Sequence, residues 1–149
     1  MSALSLLDPA DPAAAPWREA ALRLRERVFV LEQGVPLELE HDAHDATAWH
    51  AVLVDGGEVV ATGRVRLVAP DTAKIERVAV DPRRRTAGLG RALMAALEAQ
   101  GRALGATRAR LAAQETALGF YLRLGYAPYG ERFMDAGLPH RAMERLLDP

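Results

Sequence analysis

The stretch Val78–Met94, VAVDPRRRTAGLGRALM, decides how the rest of the chain is read. A strand-like apolar run meets Asp81-Pro82, three arginines follow, and Gly88-Leu89-Gly90 opens a segment with apolar residues at helical spacing. A strand, a loop of small residues and a helix, in that order, make an anion site. The first amides of a helix lack intrahelical partners, the macrodipole adds partial positive charge there, and glycine permits close approach to the backbone. Two other phosphate loops do not fit. A dinucleotide fingerprint needs a third glycine where Leu93 stands, and it follows the first strand of its fold rather than a middle one. A Walker loop needs Gly-Lys-Ser/Thr, which is absent. The plain alternative is a helix start after a polar turn, with arginines on the surface.

Working outward from this stretch, Thr72–Val80 alternates as a strand and Gly88–Leu104 carries an apolar stripe of Leu89, Leu93, Ala96, Leu97 and Ala103. Upstream, Ala48–Val54 and Val59–Val68 are β-rich and are separated by Asp55-Gly56-Gly57-Glu58, a hairpin signal. A helix is expected over Pro16–Leu31, with proline at its start and Gly34 and Pro36 beyond its end, after a short first strand at Ser2–Leu7. The acidic segment ELEHDAHDAT has no periodicity and reads as a solvated loop. Downstream come a strand at Thr107–Ala113, a short helix at Thr116–Leu124 closed by Gly125, and a terminal strand pair within Tyr126–Leu147. The order β-α-β-β-β-α-β-α-β-β predicts an α/β chain, a mixed sheet with helices on both faces. No repeat or linker divides residues 1–149, which are expected to form one domain.

Composition narrows the functional classes. The net charge of −1 removes the whole-protein argument for a nucleic-acid binder, so Arg83–Arg85 are judged locally. Of 19 basic residues only Lys74 is lysine, which with abundant alanine looks like a GC-rich genome rather than a functional choice. The absence of cysteine excludes disulfides, zinc–thiolate sites and thiol nucleophiles. With no signal-like N-terminus and no apolar run of membrane length, a cytoplasmic protein that does not engage a membrane is expected. His41 and His44 with Glu38, Glu40, Asp42 and Asp45 invite a zinc reading, but a third spaced ligand is not evident and no metal is expected. Bordering a cleft, that acidic segment would steer a cationic ligand.

Arg85-Thr86-Ala87-Gly88-Leu89-Gly90 resembles the R/Q-x-x-G-x-G/A motif of the GNAT superfamily of N-acetyltransferases. Glu76–Val80 stands where the family has its fourth strand. LAAQETALGFYLRLGY, Leu111–Tyr126, resembles the fifth strand and the N-x-x-A-x-x-x-Y-x-x-x-G-F/Y helix signature. RERVFVLEQGVPLELEHD and FMDAGLPHRAM are similar to an ElaA/YjcF-like bacterial branch, so the resemblance runs from about Arg23 to Met143. Thr86 replaces a common glycine and Gln114 a common asparagine. The resemblance implies a central, mostly antiparallel sheet of six to seven strands with helices on both faces, and the use of acetyl-coenzyme A.

The resemblance also assigns roles. The pyrophosphate would sit on the backbone of Arg85, Thr86, Ala87, Gly88, Leu89, Gly90 and Arg91, with Arg85 adding a charge-assisted contact. The pantetheine arm would pair with Val78, Ala79 and Val80, with Gln114 nearby. Arg83 and Arg84 either reach the adenosine phosphates or stay solvated. Tyr121 would be the acid that protonates the departing thiolate, against a plain packing role beside Phe120. The base is open among Glu76, His50 and Glu32: alternation places Glu76 on the face of Val78 and Val80, or it pairs with Arg64, Arg66 or Arg77. His140 matches a histidine near the cleft, contacting the acceptor or ordering the terminal strands. The expected activity is acetyl transfer to a primary amine, a cationic small molecule or a protein amine, by direct attack in a ternary complex. A homodimer is possible, as relatives are often dimers, and the alternative activity is a coenzyme A-binding regulatory module without turnover.

Overall fold

A computed structural model describes residues 2–85 and 88–148; Thr86 and Ala87, both expected in the phosphate loop, lie outside the described residues. The seven strands are β1 (Ser2–Leu7), β2 (Trp49–Asp55), β3 (Glu58–Ala69), β4 (Thr72–Val80), β5 (Arg108–Gln114), β6 (Ala127–Asp135) and β7 (Leu138–Leu146). They form one sheet in the order β1-β2-β3-β4-β5-β7-β6, antiparallel throughout except for β4 beside β5. The helices are α1 (Ala15–Arg25), α2 (Leu37–Glu40), α3 (Leu89–Ala103) and α4 (Leu118–Arg123). One face of the sheet buries Ala21, Leu24 and Val28 against Val52, Val59 and Ala79. The other buries Leu93, Met94 and Leu97 against Ala61, Val65 and Ile75. The mixed sheet with helices on both faces is thus as expected from the order of elements.

The expected first helix differs in its second half. From Glu26 to Glu32 the winding widens into π-type turns, which recur at functional sites because they re-aim side chains. Here Val28 and Phe29 both reach the cleft described below.

Two features of β4 create that cleft. First, β4 pairs with β5 only over Thr72–Lys74 against Arg108–Arg110, so the edge of Ile75–Val80 that faces β5 has no pairing with it. Second, the register with β3 skips between Thr62↔Ala79 and Arg64↔Glu76, leaving Arg77 and Val78 opposite the single residue Gly63. This is a β-bulge, and Arg77 takes φ +57° to make it. Gly63 is required there: an added Cβ would lie 2.7 Å from Leu97 Cδ1 and 3.3 Å from Val78 Cγ2.

The bulge corrects the reading of Glu76. Strict alternation places Glu76 with Val78 and Val80, but the extra residue inverts the phase after Arg77. Val78 and Val80 pack on the α3 face, whereas Glu76 joins arginines on the other face.

The acidic segment is also not a solvated loop. It folds as α2 and a short 3₁₀ turn, Ala43–Ala46, over two fully buried arginines. Arg25, 1% exposed, donates to Glu40 at 2.6 and 3.0 Å and to Asp45 at 2.6 and 3.2 Å. Arg64, 0% exposed, donates to Asp42 at 2.7 and 2.8 Å, to Asp45 at 2.8 Å and to Glu76 at 3.3 Å. Two buried cations without these partners would be prohibitively costly, so the carboxylates are what allow this segment to dock.

Candidate functional site

Where β4 and β5 part, a cleft of about 760 Å³ opens through the sheet. Its lining comes from the π-type segment, α2, β4, the loop into α3 and its first turn, β5 and the connection into α4, α4 itself, and the β6–β7 turn. Arg85, Gly88, Gly90 and Arg91, expected in a phosphate loop, line it together with Val78, Ala79, Val80, Gln114 and Tyr121. The structure therefore brings most of the expected cofactor residues into one cavity. Leu89 contributes differently, packing its side chain on the α3-face core.

The start of α3 is shaped by two glycines with different needs. Gly88 caps α3 at φ +74°, a left-handed conformation that disfavours a side chain, although a Cβ there would meet nothing within 4 Å. Gly90 serves a different need: its added Cβ would fall 3.2 Å from Phe120 Cζ, so the first turn of α3 packs directly on α4. Arg85 donates to the carbonyl of Val80 at 3.2 Å and makes a two-pronged pair with Glu32 at 2.6 and 2.7 Å. The hydrogen bond from Arg85 holds the Glu32 carboxyl below its ordinary value. Arg83 is 71% exposed and pairs with Asp81 and Glu58, and Arg84 pairs with Asp55; neither lines the cleft.

Tyr121 sits in the wall of the cleft, its ring edge-on to Phe120 at 5.0 Å and to Tyr126 at 6.0 Å. Its helix is anchored from behind. Tyr126 donates from its hydroxyl to Glu98 at 2.6 Å, and its amide donates to the Tyr121 carbonyl at 3.1 Å. Burial pushes the Tyr121 phenol up to about 12, so it carries its proton at every physiological pH.

The three base candidates fare differently. Glu76 lines the cleft but receives Arg66 at 2.7 Å and Arg64 at 3.3 Å, with Lys74 at 3.7 Å. Burial alone would raise its carboxyl, yet the hydrogen bond from Arg66 and the charges of Arg64 and Arg66 prevail and lower it. His50 is buried outside the cleft, its Nε2 bonded to the Asp45 carbonyl at 2.9 Å, and burial lowers its pKa. Glu32 is outside the lining and is held by Arg85.

Reasoning from sequence did not foresee Gln33, Phe120 or Asp135 in the lining. Gln33 accepts a 2.8 Å hydrogen bond from the Gln114 amide, joining the π-type segment to the end of β5. No local pattern announces such a contact between residues 81 positions apart.

Comparison with known proteins agrees with this geometry. The model of the acetyltransferase (GNAT) family matches residues 12–126. The uncharacterized N-acetyltransferase YjcF of Bacillus subtilis (strain 168) is 41% identical over 124 residues, covering 83% of this chain and 88% of YjcF. The crystal structure of Escherichia coli ElaA superposes with a TM-score of 0.87 at 27% identity, over 97% of this chain and 99% of ElaA. An acyl-CoA N-acyltransferase from Pseudomonas aeruginosa gives a TM-score of 0.81 at 30% identity, over 96% and 99% of the two chains. Matched by the family model over residues 12–126 and by YjcF over 83% of its length, the chain belongs to the GNAT family of N-acetyltransferases.

Proposed function

We propose that the protein transfers the acetyl group of acetyl-coenzyme A to a primary amine by direct attack, with both substrates bound in the one cleft. The observation that carries this is the unpaired edge of Ile75–Val80 running between the Gly88 cradle and Tyr121. A thioester arm with amide groups can complete that edge as an added strand. Its phosphates would meet the amides at the start of α3 and the guanidinium groups of Arg85 and Arg91. The donor set therefore suits a long pyrophosphate-bearing ligand.

Tyr121 is the acid in this reading. A phenol near 12 facing a thiol of ordinary pKa about 8.5 cannot simply hand over its proton, because the step is uphill by about 3.5 units, or about 5 kcal/mol. Tyr121 instead donates as the C–S bond breaks and recovers a proton from the positively charged nitrogen of the adduct, a far stronger acid. The net movement is downhill and the phenol is restored.

The test combines acetyl-coenzyme A binding by calorimetry with coenzyme A release across a panel of alkylamines, polyamines, aminoglycosides and peptides. Binding with turnover on at least one amine supports the reading. Tight binding with no turnover on any of them favours a coenzyme A-binding regulatory module, a reading kept open by the engagement of Glu76, Glu32 and His50 in other bonds.

A further inference from the structure

We propose that His140 is the general base that deprotonates the amine; this rests on the acetyl-transfer reading above. His140 lies on β7, directly across from Gln114 at the end of β5, and lines the cleft that Tyr121 also lines. Its Nδ1 is 2.8 Å from the carbonyl oxygen of Leu138. A carbonyl can only accept, so Nδ1 carries the hydrogen, and in the neutral ring Nε2 keeps its lone pair. Among the described residues no protein group bonds to that nitrogen. The ring is held flat by Phe133, whose centroid is 5.8 Å away at an interplanar angle of 24°. His140, a residue of the cleft lining, is thus oriented twice, by a hydrogen bond and by a stack, with no described group bonded to its basic atom.

The competing groups lack this arrangement. The Glu76 carboxylate is occupied by Arg64 and Arg66, and Glu40 by Arg25. His50 makes its carbonyl contact through Nε2 and lies outside the cleft. Asp135 lines the cleft at the β6–β7 turn, but among the described residues no hydrogen bond or ring contact orients its carboxylate.

The step balances without a co-reactant. The ammonium of the acceptor gives one proton to Nε2 of His140, and the freed nitrogen lone pair forms a bond to the thioester carbonyl carbon. The C–S bond breaks and the sulfur takes the Tyr121 proton. Tyr121 regains one from the adduct nitrogen, and the proton on His140 leaves to solvent. The products are the amide, coenzyme A thiol and one proton.

The test uses His140→Asn, whose side-chain amide can still donate to the Leu138 carbonyl but has no basic nitrogen. Two acceptors are compared at neutral pH: the alkylamine turned over fastest by the wild type, and its trifluoro analogue, whose amino group is already neutral. The expected result is a loss of about 100-fold or more in kcat/KM for the alkylamine and only a few-fold for the analogue, with acetyl-coenzyme A affinity unchanged. Equal losses on both acceptors, or unaltered turnover of the alkylamine, would overturn the assignment while leaving acetyl transfer intact. A wild type inactive on every amine defeats the transfer reading itself and the base with it. Should the variant fail to fold, long-range nitrogen–proton correlations of ring-labelled wild-type protein decide the matter. The proposal requires the Nδ1–H form at His140, and an Nε2–H form overturns it.

Discussion

Removing a single oxygen from Tyr121 separates catalysis from architecture. The Tyr121 side chain packs through its ring, edge-on to Phe120 and Tyr126, and among the described residues no group hydrogen-bonds its hydroxyl. Tyr121→Phe preserves both ring contacts and the 3.1 Å backbone bond from Tyr126 to residue 121. The residue is 9% exposed, so the phenylalanine ring is compatible with the site and the variant should be at least as stable as the parent. Acetyl-coenzyme A affinity should stay within about twofold, because the phosphate cradle and the β4 edge are untouched and a twofold change is only about 0.4 kcal/mol.

Turnover should respond differently. A positioned acid contributes about 10²–10⁴-fold, equivalent to about 2.7–5.4 kcal/mol of activation free energy. The assay is steady-state coenzyme A release with a thiol reagent, beside calorimetric acetyl-coenzyme A binding and urea unfolding of the same preparation. Binding and turnover falling together would refute the acid role and make Tyr121 a wall of the binding site. Full turnover in the phenylalanine variant would refute it as well.

Gly63→Ala should destabilise by about 1–3 kcal/mol in urea unfolding, because the new methyl meets Leu97 at 2.7 Å and Val78 at 3.3 Å across the bulge. Gly88→Val should cost about 1–2 kcal/mol through its φ of +74°. It should also weaken acetyl-coenzyme A binding strongly in a folded protein; unchanged affinity would remove the cradle. Arg64→Met should cost about 1–3 kcal/mol, because Asp42, Asp45 and Glu76 each lose a charged donor but keep Arg77, Arg25 and Arg66 respectively. The pH dependence follows from the same carboxylates. Burial would raise Asp42, Asp45 and Glu76, but their guanidinium partners hold all three below the ordinary 3.8 and 4.5. Their stabilisation is fully present above about pH 4.5 and is lost as pH falls below it, so acid unfolding of the wild type should be steep there and flatter in Arg64→Met.

The element order and the glycine start of α3 were legible because both are written locally. Proline at Pro16, the Gly56-Gly57 turn and the Gly88-Gly90 pair each act within a few residues of themselves. The widened turns after Arg25 and the bulge at Arg77 were not legible, since neither has a local signal: Arg77 is an ordinary residue at φ +57°. A strict period of two assigns Glu76 to the wrong face for that reason alone. The acidic segment misleads for a second reason. Its charge pattern is that of a solvated loop, and only the fold reveals that Arg25 and Arg64, far away in sequence, are buried beneath it.

The bulge and the buried arginines are parts of one device. Turning the chain at Arg77 carries its guanidinium to the carbonyls of Leu39 and Glu40 at 3.3 and 3.1 Å and to Asp42 at 3.2 Å. The same turn leaves Val78 and Val80 on the α3 face, beside the edge that β5 abandons after Lys74. One extra residue in β4 thus fastens the α2 segment on one side of the sheet, next to the backbone edge that lines the cleft. It also consumes negative charge: Glu40, Asp42, Asp45 and Glu76 all end on arginines, leaving Asp135 as the carboxylate in the lining without a described ion-pair partner. The steering of a cationic acceptor expected from the acidic segment therefore loses its source. A polycation needs several free carboxylates and finds one, beside Phe29, Val35, Leu39 and Leu138. The cleft is better suited to an acceptor with one amine on an apolar stem, and kcat/KM across the amine panel should rank a phenylalkylamine above spermidine and aminoglycosides; the reverse order would show that the acceptor is read by charge the buried arginines do not neutralise.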